Sequence, residues 1–97
     1  MRGTRNIDDL LRYVYKVYKE PKRWWSKAHY EKRCTQIYAA EVVLQRCLDS
    51  PFSDPADIIE EYLMEIYSSI KRNDNKQSAK ILNIIEETLE NLLRYLS

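Results

Sequence analysis

Glycine is almost missing from this chain, one residue among 97, and there are only three prolines. Tight hairpins draw on both residues, so a fold rich in β-turns is excluded and long polar–apolar periodicity must supply the order. Histidine occurs once, at His29, and cysteine twice, at Cys34 and Cys47. Zinc takes about four ligands, and these three residues fall short. A hydrolase of the Ser-His-Asp or Cys-His kind would have only His29 to use. The two cysteines fall on one expected helix, about 20 Å apart at the helical rise, too far to pair within one copy. A reduced setting is the expectation. Apolar runs near 18 residues are missing too, and residues 1–6 lead into no apolar segment. We therefore expect a cytoplasmic protein with no membrane span and no secretory signal.

Charge is abundant and unevenly placed. The net value of +1 hides a basic first third, with ten Lys/Arg against four Asp/Glu in residues 1–33. Residues 34–97 carry six against eleven. Such halves attract an acidic partner on one side and a basic one on the other, within one copy or between copies.

The plainest element is residues 81–96. Advancing about 100° per residue puts Ile81, Leu82, Ile85, Leu89, Leu92, Leu93 and Leu96 in one sector. Asn83, Glu86, Glu87, Glu90 and Arg94 lie opposite, so the segment is one wall of a helical bundle. Earlier in the chain, Asn6 caps a helix over about 7–20, with Ile7, Leu10, Leu11, Val14, Tyr15, Val17 and Tyr18 on its inner face and Pro21 ending it. Ser26 caps a helix over about 27–49, where Trp25 and Tyr30 have the spacing of a hydrophobic staple. Within residues 37–44 Glu41 is the only charge. A helix apolar nearly all round is expected to be enclosed on more than one side, with Glu41 as a buried acid. Phe52 is expected to tuck back as a plug after Pro51. Asp54-Pro55 opens a helix over about 55–72, burying Ile58, Ile59, Tyr62, Leu63, Ile66, Tyr67 and Ile70. Asp74 with Gln77 fits a capping box for the last helix, about 75–96. These elements predict an all-α protein, a four-helix up-down bundle forming one domain over 1–97.

Candidate functional residues follow from the basic, aromatic first third. Arg12, Lys16, Lys19, Lys22, Arg23 and Lys27 are the cations available to nucleic-acid phosphates, with tryptophans as stacking surfaces. Tyr15 and Tyr18 belong to the core stripe, which leaves Tyr13, Trp24 and Trp25, with Phe52, as an interaction surface. A buried Glu41 suits a structural acid or a general base; no second polar group converges on its face. Arg23 and His29 form Arg-x5-His, which resembles the Arg-x4–6-His signature of HEPN ribonucleases. The resemblance covers seven residues and implies a small helical domain with the pair at a dimer cleft. In that family the pair opens a late helix, and here it opens the second. Glu86, Glu87 and Glu90 resemble the first metal-binding motif of MazG-type pyrophosphohydrolases, but the second acidic motif has no counterpart in the seven residues that follow.

The reading that joins these features is a small helical interaction module, without catalysis, cofactor, metal or small-molecule substrate, that self-associates as a homodimer or binds another protein. The alternative is a nucleic-acid-binding accessory protein. A HEPN-like ribonuclease is the remote one.

Overall fold

The computed structural model describes residues 7–19 and 26–96. They form α1 (Ile7–Val14), prolonged by a π-helical turn (Tyr15–Lys19), then α2 (Lys27–Asp49), α3 (Pro55–Arg72) and α4 (Lys76–Leu96). No strand occurs among the described residues. The architecture is an all-α helical bundle, as the periodicity predicts.

Local chemistry sets the helix ends. Ser26 Oγ accepts a hydrogen bond from the His29 backbone N–H at 3.2 Å, satisfying one of the donors a helix start leaves without an intrahelical acceptor. Asp54 does the same for Ala56 N–H at 2.9 Å, with Pro55 as the first helical residue. At α4 the expected Asp74 capping box does not form. Asn75 takes the capping place, its Oδ1 accepting from Gln77 N–H at 2.9 Å and Ser78 N–H at 3.3 Å. Asn73 Oδ1 in turn accepts from Asn75 N–H at 2.8 Å. Two successive asparagine turns therefore reverse the chain and delay α4 by one residue.

Alpha-2 packs against α1, α3 and α4, and α3 lies along α4. The core joins Leu10, Val14 and Tyr18 to Ala39, Ala40, Val43, Leu44 and Cys47, the inner residues of α3 from Ala56 to Ile66, and Ile85, Leu89, Leu92 and Leu96. Among the described residues Thr88 is the buried polar one, and its hydroxyl donates to the Ile84 carbonyl at 2.8 Å. Between helices, Arg46 pairs with Glu65 and lies 4.5 Å from the Tyr62 ring centroid. Tyr67 Oη donates to Glu90 at 2.9 Å.

Four expectations about burial are corrected. Tyr15, Leu11 and Val17 are exposed, whereas Tyr18 is buried. The π turn carries more residues per turn than an α-helix, which keeps Tyr18 centred on the core and swings Val17 away. Leu11 and Tyr15 each stand one residue past a buried position, Leu10 and Val14, at the edge of the stripe. Tyr67 and Ile81, at the edges of their stripes, are also exposed. Phe52 is 103% exposed and is not a plug. Glu41 is exposed: it stands about 60° past Leu44, the last buried position on that flank of α2.

Burial holds the Tyr18 and Tyr62 hydroxyls and the Cys47 thiol neutral, raising each above its ordinary value of 10.0 or 9.0. The unfolded chain ionises these groups first. Above about pH 9 the native state therefore binds more protons than the unfolded state, and stability falls as pH rises. Urea midpoints followed by helical circular dichroism should stay level between neutral pH and about pH 9, then decline through the raised native values. A midpoint unchanged up to about pH 11 would contradict the buried, neutral placement of these groups.

Candidate interaction surface

Alpha-2 has two apolar sides and a use inside the fold for one. Ala39, Ala40, Val43, Leu44 and Cys47 face the other helices. The alanines lack side-chain bulk, so neighbouring backbones come close there. On the other side stand Tyr30 (59% exposed), Tyr38 (60%) and Leu48 (63%), with Cys34 and Glu41 between them. Tyr30, Cys34, Glu41 and Leu48 fall within about 40° of one another around the helix, and Tyr38 about 40° further on. Phe52 follows in the loop beyond the C-terminus of α2. The near-continuous apolar run at 37–44 therefore does not mark enclosure: α2 touches every other described helix, yet among the described residues none covers its outer side.

A second apolar surface lies on α1, a shallow groove lined by Leu11, Val14 and Tyr15 with Arg12 at its edge. Between α2 and α4 runs a more polar groove lined by His29, Lys32, Thr35, Gln77, Lys80 and Ile81. Charges are segregated along the fold. Lys27 and Lys32 are exposed at the start of α2, and Asp57, Glu60, Glu61 and Glu65 on the outside of α3. The Arg46 guanidinium is pushed above its ordinary pKa, chiefly by its hydrogen bond to Glu65. With both partners well exposed, the pair contributes at most about 1 kcal/mol.

The structure disperses several of the residues singled out by sequence. Tyr13 is no docking surface: it is half-buried, its ring stacked on Tyr95 at 4.1 Å and edge-on to Tyr18 at 6.4 Å. This stack joins α1 to the end of α4 and uses the ring inside the fold. Arg12, Lys16 and Lys27 are exposed cations, the first on α1, the second in the π turn and the third on α2. Lys22, Arg23, Trp24, Trp25 and the Lys19 side chain lie outside the described residues, as does the staple to Tyr30. Arg23 is thus not placed relative to His29, which is exposed in the first turn of α2. Cys34 is exposed and Cys47 buried, both as thiols. Glu90 is engaged by Tyr67, and among the described residues no group of three His, Cys, Asp or Glu is arranged to hold a metal ion. No helix among them is long and apolar enough to cross a membrane.

Tyr30, Tyr38 and Leu48 were missed as surface residues. The signal was present in the helical wheel of α2, where they oppose the two alanines. Set against known protein families, curated proteins and solved structures, the chain matches none of them.

Proposed function

We propose that this protein is a small helical interaction module that self-associates through the outer side of α2. One observation carries the reading. Three large side chains of α2, Tyr30, Tyr38 and Leu48, stand more than half exposed, and Phe52 stands fully exposed just beyond them. Scattered exposed apolar residues are ordinary, but a group aligned along one helix marks a contact surface. Tyrosine suits such a surface because it brings apolar area and a polar tip at little conformational cost.

Binding is favoured over chemistry because the reactive groups do not converge. His29 and Cys34 are five residues apart on one helix, about 140° around it, and Glu41 lies on an open face. The same reading keeps the reduced, cytoplasmic setting expected from the cysteines.

Light scattering on the eluted protein tests it. Across rising concentration the mass should climb from the 11.7 kDa of one chain toward twice that value. A mass fixed at one chain up to about 1 mM, where association free energy is only about −4 kcal/mol, would remove self-association. A complex with single- or double-stranded nucleic acid that weakens steeply with salt would instead favour the exposed cations of α1 and α2.

A further inference from the structure

The outer strip of α2 has a pattern that is symmetric about Cys34. Tyr30 and Tyr38 stand four residues to either side of it, and Lys27 and Glu41 seven to either side. Steps of four and seven return a helix to nearly the same azimuth, so the five share one strip. All five are exposed. Size and hydrophobicity match across the centre, and charge inverts.

From this symmetry, and resting on the self-association just described, we infer that α2 pairs antiparallel with α2 of a second copy about a two-fold axis at Cys34. In that arrangement each residue meets the one equally far from Cys34 on the other side. Tyr30 faces Tyr38 of the second copy, and Lys27 faces its Glu41, each contact occurring twice. A parallel pairing would set lysine on lysine and glutamate on glutamate, so the charges select the antiparallel orientation. The alternation of one cation and one anion along the strip also fits a copy of itself better than a phosphate backbone, which asks for cations only.

The dimensions agree. A small residue at the crossing point lets two helices approach to about 8–10 Å. With Cα atoms about 2.3 Å off each axis, the two Cys34 Cα atoms would stand about 3.5–5.5 Å apart. That range overlaps the ~4.4–6.8 Å that a disulfide spans. The four tyrosines of the pair, each close to 60% exposed, would bury roughly 350–600 Å². This is a third or more of the ~1,000 Å² that a stable interface requires, before Cys34 and the stems of Lys27 and Glu41 are added.

Cys34 thus reports on the register. Diamide, which takes up two electrons and two protons as two thiols join, should convert the full-length protein to a disulfide-linked dimer. The product should vanish in Cys34→Ser and persist in Cys47→Ser. Lys27→Glu and Glu41→Lys should each lower both the cross-linking yield and the association constant, by about tenfold for the loss of two close charge pairs. The double variant, with the charges exchanged, should recover both, while circular dichroism confirms that every variant keeps its helices. A dimer seen by light scattering that gives no Cys34 cross-link and no rescue by charge exchange would overturn this register and leave self-association standing. A chain monomeric at every concentration would remove both.

Discussion

Replacing Leu89 with alanine should cost about 2–5 kcal/mol of folding stability. Leu89 has no solvent exposure and lies in the stripe of α4 with Ile85, Leu92 and Leu96, where α4 meets both α2 and α3. Truncation removes buried methyl groups and leaves a cavity that three converging helices cannot close by a small shift. A domain of this size has about 5–15 kcal/mol in total, and each kcal/mol lowers Tm by about 4–8 °C. The variant should therefore melt at least about 8 °C earlier. Ile81→Ala is the internal control. It removes a similar side chain from the same sequence stripe, but at an exposed position near the start of α4, so it should cost about 1 kcal/mol at most. Urea titrations followed by circular dichroism measure both. Equal losses at the two positions would mean that α4 is not seated as described.

The starts of α2 and α3 and most of the core of α3 and α4 were legible from sequence because their signals are local. The start of α4, by contrast, passed from Asp74 to Asn75, and Tyr67 and Ile81 at the stripe edges lie exposed. Ser26 and Asp54 cap where their side-chain oxygens reach the first free N–H groups, and nothing distant alters that. The leucine stripe of α4 needed only two neighbours, and α2 and α3 supply them. Alpha-2 was harder for a physical reason: a helical wheel shows which residues are apolar and says nothing of how many neighbours are there to cover them. Residues 37–44 read as enclosed, and Glu41 with them, because an apolar side was equated with a covered one. The described helices cover only one side of α2. Val17 departs for another reason, since the π turn that displaces it changes the angular step on which the stripe rests, and Tyr15 lies at the edge of that stripe. The azimuth of Tyr13, beside the stripe, suggests a surface ring. Its stacking on Tyr95 is a contact between the first helix and the last, which no local pattern records. In the basic aromatic first third the helical wheel already separates core from cation, and the described part agrees. Tyr18 goes to the core, and Arg12 and Lys16 go to solvent.

The account as a whole turns on the outer side of α2 being a contact surface and not merely uncovered. Tyr38→Glu separates the two. Tyr38 is exposed in one copy, so the change should leave the urea midpoint of the monomer within about 0.5 kcal/mol of wild type. At a contact, a centrally placed tyrosine is worth about 2 kcal/mol or more, and the variant puts a carboxylate where an apolar ring was buried. Self-association should weaken by at least about 30-fold. Sedimentation equilibrium of wild type and Tyr38→Glu at matched concentrations measures this directly. The account predicts a wild-type monomer–dimer equilibrium and a variant held close to the mass of one chain. Indistinguishable mass distributions for the two proteins would contradict it.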